Sequence, residues 1–341
     1  MHDEELFHKL LILRTPGIGP VKYAELTRKF GTAAAAADSL NAAQEHADSV
    51  KREMDRAAQL GIIYVSDDSD DYPANLKQVK NHPPVISARG NIAALRRPAV
   101  GMVGTRHATA AGMRFVSDLA AAFAGHGFAV VSGMAMGTDT AAHNGALSVA
   151  GDENTIAVLA GGADYIWPLE NEKLYHYILE RGAAISEMPV AATPIANNFI
   201  QRNRWIAGIS EKLILGEADE DSGSMSTAAF ALDLNRPVFA IPGHPSDARS
   251  AGPNRLIKSG LATLCIGRQD FFEFKDDKGQ SPKKAKPHAE NTLMDLIGTE
   301  SVSESVLAKL AEKNVNEVKS QLVVLELNGL VKKVNGGYVK A

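Results

Sequence analysis

The hydrophobic pattern of residues 1–60 is that of helices. Leucines recur at helix-like spacing, as Leu6, Leu10 and Leu13 show. The pattern is broken by Thr15–Pro20, which reads TPGIGP and is too rich in glycine and proline to continue a helix. We therefore predict a helical domain of the helix-hairpin-helix (SAM-like) type over residues 1–60. The hairpin either holds a phosphate on its unpaired N–H groups or is a plain helical turn.

Between residues 61 and 275 the pattern changes to short β-branched runs that alternate with helical segments. Six of these runs predict strands, and they are Val100–Val103, Ala129–Ser132, Thr155–Leu159, Ala183–Ser186, Lys212–Leu215 and Val238–Ala240. Strands and helices that alternate in this way are typical of an α/β protein with a doubly wound, largely parallel sheet. We predict a Rossmann-like core over residues 61–275.

The last part of the chain changes pattern once more. Residues 276–290 contain two prolines and four lysines and no apolar residue larger than alanine, which indicates a solvated linker. Three short helical stretches follow, and then a hairpin over residues 331–340 with Asn335-Gly336 at its turn. This order predicts a winged helix-turn-helix domain over residues 291–341. Such domains bind duplex DNA in many proteins and other proteins elsewhere, so the fold alone assigns no function.

The composition narrows the class of protein. The chain has 341 residues, of which 45% are hydrophobic and 22% charged, as in folded globular proteins. Its net charge is −4, so any nucleic-acid site must be a local positive patch. The single cysteine, Cys265, fits a reducing compartment. An acidic N-terminus without a secretory pattern, and the absence of a membrane-length apolar run, lead us to expect a cytoplasmic protein.

The predicted strands of the core end in unusual loops. These loops contain Gly104, Thr105, Arg106, Gly133, Ser222, Gly223 and Ser224. Ligands of an open parallel sheet bind outside the carboxyl ends of its strands, where helix N-termini behind Gly104, Gly137 and Ser224 would direct unpaired N–H groups. One such loop is an ordinary turn or helix cap. Several together predict an anion site with phosphate as its ligand.

The segment FIQRNRWIAGIS places two arginines close to a predicted helix start. Arg202 and Arg204 bracket Asn203 there, and positive charge at a helix N-terminus opposes the helix dipole. This arrangement predicts an anionic ligand, or a buried carboxylate such as that of Glu217, opposite the arginines. Phe199, which we predict just outside the helix, either stacks on a nucleobase or forms a hydrophobic staple.

Taken together, these motifs resemble the DNA-processing protein A family, also called DprA or Smf. The resemblance is carried by Gly104–Arg106, Ser132–His143, Phe199–Ser210, Ser222–Ala228, Ala240–Gly243 and Gly252–Ile257. It implies a single-stranded DNA-binding protein of bacterial natural transformation (competence). Such a protein shields incoming strands, helps to load the RecA recombinase during DNA recombination, and forms a dimer through its Rossmann-like core. No covalent chemistry, cofactor or metal is implied.

The resemblance also implies which residues bind DNA. Carried onto this chain, they are Gly104, Thr105, Arg106, Gly133, Arg202, Asn203, Arg204, Ser222, Gly223 and Ser224, with Phe199 as a candidate for base stacking. The chain departs from the family pattern at Met136, Thr138 and Asn144, where two positive charges are missing. We therefore expect weaker DNA binding or compensation from other basic side chains, with Lys212, Arg249, Arg255 and Lys258 as candidates.

The chief alternative is an enzyme that resembles the LOG-type nucleoside monophosphate phosphoribohydrolases. That family relies on a PGGxGT loop and a following glutamate, whereas this chain has IPGHP at Ile241–Pro245. Asp139 and His143, four residues apart, are either an acid–base pair or a helix cap and a packing histidine. The sequence lacks a Walker A motif, a GxGxxG motif, a GxSxG elbow and zinc-site spacings. A third alternative is a binding module whose C-terminal tail recruits a partner.

Overall fold

The computed structural model describes residues 2–272, 293–297, 301–311, 313–327, 330–334 and 336–340. The chain divides into two compact units, Met1–Phe272 and Glu273–Ala341, and each is described here by itself. The predicted linker at residues 276–290 and Asn335 of the predicted hairpin turn lie outside the described residues.

Four helices form the N-terminal part of the first unit. They are α1 (His2–Leu13), α2 (Pro20–Phe30), α3 (Ala33–Asp38) and α4 (Asn41–Gln59). The turn between α1 and α2 lies at the predicted segment, with Gly17 at a φ of +79° that favours glycine. Pro20 suits the first turn of α2, because its missing N–H has no helical partner there. Leu10 and Ile12 pack against Tyr23 in a core shared by these helices.

The rest of the first unit is built on one sheet of nine strands. They are β1 (Ile62–Ser66), β2 (Val85–Gly90), β3 (Ala99–Val103), β4 (Ala129–Ser132), β5 (Thr155–Val158), β6 (Ala183–Ser186), β7 (Lys212–Leu215), β8 (Val238–Ala240) and β9 (Thr263–Leu264). Their order is β1-β2-β6-β5-β4-β3-β7-β8-β9. The pairs from β6 to β9 are parallel, whereas β1 with β2 and β2 with β6 are antiparallel.

The sheet agrees with the predicted mixed α/β fold. All six predicted strands are present within one residue of the predicted ends. The sequence did not single out strands β1, β2 and β9, which lie at the two ends of the strand order. Ile63 of β1 and both residues of β9 are exposed, so β1 and β9 lack the continuous apolar run of a strand buried on both faces. Strand β2 is buried over its first four residues, but Ser87 and Arg89 interrupt its apolar run.

Helices cover both faces of this sheet. They are α5 (Ala74–Lys77), α6 (Ala110–Gly125), α7 (Thr138–Leu147), α8 (Glu172–Arg181), α9 (Ala196–Ile209), α10 (Gly223–Asp233) and α11 (Ala251–Lys258). The sheet is buried on both faces, as two neighbouring residues of β3 illustrate. Val103 packs into the core on the α9 side, and Met102 packs into the core on the α6 side. None of the described helices combines the length and apolarity needed to cross a bilayer.

The strand order reverses beside β3. From β3 the chain moves outward through β4, β5 and β6, and after β6 helix α9 returns it to β7 on the other side of β3. Such a reversal leaves a crevice at the carboxyl ends of the two strands, which is where open α/β sheets bind ligands. The loops after β3 and β7 therefore flank the natural position of a site.

The described residues of the second unit form three helices and a hairpin. They are α12 (Leu293–Leu296), α13 (Glu304–Leu310), α14 (Val315–Leu327), β10 (Val331–Val334) and β11 (Gly337–Lys340). These elements lie where the sequence predicts them. Leu307, Leu322, Val331 and Tyr338 are buried together, which joins helices and hairpin in one small core.

The close packing of α7 against α6 makes a prediction for Gly145. A Cβ atom at Gly145 would lie 2.1 Å from the Ser117 carbonyl oxygen, a backbone atom of α6 that cannot swing away. We expect Gly145→Ala to lower the free energy of unfolding by about 1–3 kcal/mol through overpacking. The measurement is urea unfolding followed by circular dichroism.

Gly125→Ala is the matched control, because nothing lies within 4 Å of a Cβ at that helical glycine. We expect it to leave stability unchanged or slightly raised. Equal stability of the two variants would contradict the described packing of the two helices.

Candidate functional site

A cavity of about 440 Å³ lies at the crevice between β3 and β7. This volume is within the roughly 300–1,000 Å³ of small-molecule sites. Most of the residues predicted to bind DNA line it, namely Gly104, Thr105, Arg106, Phe199, Arg202, Asn203, Ser222, Gly223 and Ser224. Of the other two predicted residues, Gly133 lies behind Arg202, and Arg204 lies elsewhere.

Arg202 is buried at the inner wall of this cavity, with 6% of its surface exposed. Its Nη1 lies 3.9 Å from Asp139 Oδ2 and donates to the Val158 carbonyl at 3.3 Å. Its Nε has no hydrogen-bond partner among the described residues. A Cβ on Gly133 would lie 1.3 Å from Nη1, so Gly133 serves the site by leaving room for the guanidinium.

Asp139 and His143 have separate partners. Asp139 accepts the backbone N–H groups of Gly133 and Ala135, each at 3.2 Å. Burial raises the pKa of this carboxyl, and the charge of Arg202 opposes the rise. His143 Nδ1 lies 2.7 Å from Thr155 Oγ1, and burial lowers the pKa of His143 to about 3. The geometry is that of a carboxylate that caps a loop and a neutral histidine that packs.

Arg106 lies exposed at the mouth of the cavity on two aromatic rings. Its guanidinium carbon is 5.0 Å from the centroid of Trp167 and 5.9 Å from that of Phe199. The two rings meet edge to face at 4.7 Å. A cation held over aromatic faces in this way is positioned and still open to solvent. The mouth therefore offers a positive charge and aromatic surface side by side.

The sequence did not point to Trp167. It stands in the long loop after β5, six residues beyond Gly161, and no spacing in the sequence connects it with Arg106 or Phe199. The available signal was its position in a glycine-containing loop at the carboxyl end of a strand, which is where a site residue is expected.

Helix α9 begins earlier than predicted. It starts at Ala196, so Phe199 lies inside its first turn and the prediction that Phe199 precedes the helix is wrong. The helix has no side-chain cap, which explains why the sequence did not mark its start. Arg202 then lies in the second turn, beyond the reach of the helix dipole. The argument from an unfavourable dipole therefore does not apply, although a buried carboxylate does lie opposite Arg202.

Asn203, Ser222 and Ser224 shape a wall of the cavity. Asn203 Nδ2 donates to the Gly223 carbonyl at 3.1 Å and to Ser226 Oγ at 3.2 Å, which ties α9 to the start of α10. Ser222 caps α10 by accepting the Ser224 N–H at 3.4 Å. The N-terminus of α10 thus faces the cavity, as predicted.

The N-terminus of α6 is already occupied by a carboxylate of the protein. Glu217 accepts the Thr109 N–H at 2.7 Å and the Thr109 hydroxyl at 2.5 Å. A Cβ on Gly112 would lie 2.7 Å from the same carboxylate, so the contact also needs a glycine. The expectation that the helix behind Gly104 holds its N–H groups free for a ligand is therefore wrong. Thr109 caps α6, because its hydroxyl accepts the Gly112 N–H at 2.9 Å, and Glu217 holds Thr109 in place. Glu217 therefore does not lie opposite the arginines.

Arg204 and the candidate compensating residues lie outside the cavity lining. Arg204 lies two residues after Arg202 and therefore on a different side of α9. There its Nη2 donates to the Lys80 carbonyl at 2.7 Å. Lys212 begins β7 at the opposite end of the sheet. Arg249 pairs with Asp247 at 2.8 Å and Arg255 with Glu220 at 3.5 Å. These contacts leave Arg106 and Arg202 as the arginines of the cavity.

Comparison with known proteins assigns the chain to a family. The family model described as DNA recombination-mediator protein A matches residues 63–276, and the DprA-like N-terminal HHH domain matches residues 3–59. This chain belongs to the DNA recombination-mediator protein A family. Protein Smf of Escherichia coli (strain K12) is 36% identical over 287 residues, which are 80% of this chain and 76% of that protein. DNA processing protein DprA of Bacillus subtilis (strain 168) is 37% identical over 63% of this chain and 72% of that protein.

Two solved structures of the family share the fold. DNA processing protein A (DprA) of Streptococcus pneumoniae has a TM-score of 0.68 and 30% identity, over 79% of this chain and 98% of that one. DNA processing protein A of Helicobacter pylori has a TM-score of 0.56 and 31% identity, over 61% of this chain and 93% of that one. The H. pylori structure describes a unique single-stranded DNA binding mode.

The burial of Arg202 predicts a large effect on stability. Arg202→Met leaves the Asp139 carboxyl buried without its positive partner, so we expect a loss of about 3–5 kcal/mol in the free energy of unfolding. Adding Asp139→Asn should restore part of that loss, because the amide oxygen can still accept the backbone N–H groups. Chemical denaturation of the purified variants measures both effects.

Arg106→Met is the control for this experiment. Its guanidinium is exposed and has no ion-pair partner among the described residues, so we expect a change within about 0.5 kcal/mol. A tolerated Arg202→Met would show that the Arg202–Asp139 pair does not support the site.

Proposed function

We propose that this protein is a single-stranded DNA-binding recombination mediator of bacterial natural transformation that shields incoming strands. The observation that carries the proposal is the pairing of Arg106 and Arg202 with an aromatic mouth in a cavity at the point where the strand order reverses. The single-stranded DNA binding mode of the H. pylori relative supports the same ligand class.

Each group of the cavity has a place in this binding mode. Arg106 contacts a backbone phosphate, since its guanidinium is exposed and carries no competing ion pair among the described residues. Phe199 and Trp167 present aromatic surface for a base, which is a sequence-tolerant way to hold a single strand. Arg202 lies deeper and offers its unpartnered Nε to an acceptor on the strand. The cavity volume suits about one nucleotide unit.

The proposed role is non-enzymatic and needs no cofactor or metal. The hydrolase alternative would require an acid–base pair, and Asp139 and His143 are each committed to other partners. The loop that corresponds to the hydrolase motif, Ile241–Pro245, lacks the second glycine, the threonine and the acid. These two features favour the binding protein over the LOG-type enzyme.

The resemblance of the sequence to the family carries three further parts of the proposal. The protein works in the cytoplasm, helps to load RecA onto the bound strand, and carries a winged helix-turn-helix domain at residues 291–341. The three helices and hairpin of the second unit support the winged-helix assignment. Lys332 and Lys333 are exposed on the hairpin, where a wing would contact a phosphate backbone or a protein.

We further propose that the protein is a homodimer, with the β9 edge of the sheet as the contact. Three large apolar side chains are exposed together there: Leu261 at 52%, Leu264 at 45% and Ile266 at 57%. An unpaired sheet edge with apolar side chains is a template for association with another chain. A second copy would cover this edge.

The phosphate contact at Arg106 is tested by the salt dependence of binding. We expect Arg106→Ala to weaken binding of a labelled oligo-dT and to lower the slope of log K against log salt by about 0.7, the loss of one single-strand phosphate contact. Fluorescence anisotropy at several salt concentrations measures both.

Arg52→Ala is the matched control, because Arg52 is an exposed arginine on α4. It should leave the slope unchanged. A folded wild-type protein that fails to bind oligo-dT at low salt would contradict the proposed function.

The dimer contact is tested by a charge at the edge strand. We expect Leu264→Asp to produce a monomer, because two carboxylates would be buried in the contact. Light scattering coupled to size exclusion measures the mass. Leu169→Asp is the control, since Leu169 is 73% exposed and lies away from β9. A wild-type monomer, or a dimer that survives Leu264→Asp, would contradict this contact.

A further inference from the structure

Two carboxylates line the cavity together with its arginines. Asp219 and Asp221 belong to the loop between β7 and α10, and both are exposed. Neither side chain has a hydrogen bond or an ion pair with another described residue, although the charge of Asp219 interacts with that of Arg249. Glu220 stands between them, pairs with Arg255 at 3.5 Å and is not part of the lining. We call Asp219 and Asp221 the acidic wall.

The acidic wall is unfavourable in a cavity that binds phosphate alone. Each carboxylate repels a phosphate held by Arg106, and neutral side chains at the same positions would bind the backbone more tightly. The chain as a whole already carries a net charge of −4. The acidic wall therefore indicates a ligand that also carries a hydrogen-bond donor for a carboxylate to accept.

Two buried polar groups show independently that the cavity is built for a ligand. Thr227 lines the cavity with 1% of its surface exposed, and its hydroxyl has no hydrogen-bond partner among the described residues. The Nε of Arg202, which is also buried and part of the lining, has none either. Buried polar groups are normally hydrogen-bonded. These two are left for a bound molecule with polar atoms on more than one side.

A nucleotide meets both sides of the cavity at once. If its phosphate lies at Arg106 and its base on Phe199, the loop that starts α10 is the remaining wall, and the acidic wall is part of that loop. Unstacked bases in single strands are read on their hydrogen-bonding edges. The carboxylates of the acidic wall would then face such an edge.

On the basis of the proposed single-stranded DNA binding, we propose that Asp219 and Asp221 select bases that carry an exocyclic amino group. A carboxylate only accepts hydrogen bonds. Cytosine, adenine and guanine present amino donors. At position 4, where cytosine carries its amino group, thymine carries a carbonyl oxygen that a carboxylate repels, and the N3–H of thymine lies between two such oxygens. The site therefore prefers cytosine over thymine, the two bases that are otherwise most alike in size and stacking.

The test compares oligo-dC with oligo-dT of equal length by fluorescence anisotropy. The full-length protein is used at pH 7.5 and one salt concentration, in the presence of EDTA. We expect oligo-dC to bind about tenfold more tightly, the effect of one hydrogen bond to a charged group. Asp221→Ala should bring the two affinities together, with oligo-dT binding more tightly than to the wild type.

Glu220→Ala is the matched control, because it removes the same charge from the same loop without changing the cavity lining. A purely electrostatic role of the loop would change both oligonucleotides equally in both variants. Only base recognition by the carboxylate changes the ratio of the oligo-dC affinity to the oligo-dT affinity, so this ratio is the readout.

Four results would overturn the inference. Equal binding of oligo-dC and oligo-dT, or a preference that survives Asp221→Ala, would leave single-stranded DNA binding in place and remove the role of the acidic wall. The measurement is repeated with Mg²⁺ in place of EDTA, and equal binding of the two oligonucleotides that appears only with Mg²⁺ would assign the carboxylates to a cation bridged to phosphate. Failure to bind either oligonucleotide would contradict the proposed function itself.

Discussion

The site depends on one buried ion pair. The Arg202 guanidinium is buried near the carboxyl ends of the strands, out of contact with water. A buried charge is tolerated in a folded protein only when an opposite charge and hydrogen-bond acceptors lie beside it. Asp139 and the Val158 carbonyl supply these. Gly133 has no side chain because the guanidinium fills that space. The same carboxyl orders the loop from Gly133 to Ala135, so β4, α7 and α9 are fixed around one contact.

The sheet was largely predictable because its central strands are buried on both faces. Such strands read as short apolar runs, and alternation with helices then determines the topology. The position of the site was predictable for the same reason, since the carboxyl ends of parallel strands meet at one edge. Strand β9 was not predictable, because its two exposed residues leave no pattern.

The chemistry of the site was less predictable than its position. The sequence placed Arg202 and Arg204 together, but in the helix they lie on different sides. The start of α9 could not be predicted, because the helix has no side-chain cap. Glu217 belongs to a helix cap that joins loops more than one hundred residues apart in the chain. Trp167 meets Arg106 only through the tertiary fold. Contacts between distant loops decide these roles, and spacing along the chain does not report them.

An acidic protein can hold a nucleic acid only where it concentrates positive charge. Here one arginine is buried and committed to the fold, and the other is exposed over aromatic rings. Arg202 therefore supports the cavity through Asp139 and has only its Nε left for the strand, whereas Arg106 acts in binding alone. Carboxylates on the opposite wall then give the site two unlike sides, which suits a nucleotide better than a bare phosphate.

The most direct test of this account is photochemical cross-linking of an oligonucleotide that carries a 5-iodocytosine base, followed by mass spectrometry of the linked peptides. Cross-links at Phe199 or Trp167 are predicted, since both rings lie at the mouth of the cavity. Cross-links confined to residues 1–60 or 291–341, with none near the carboxyl ends of β3, β5 and β7, would contradict it.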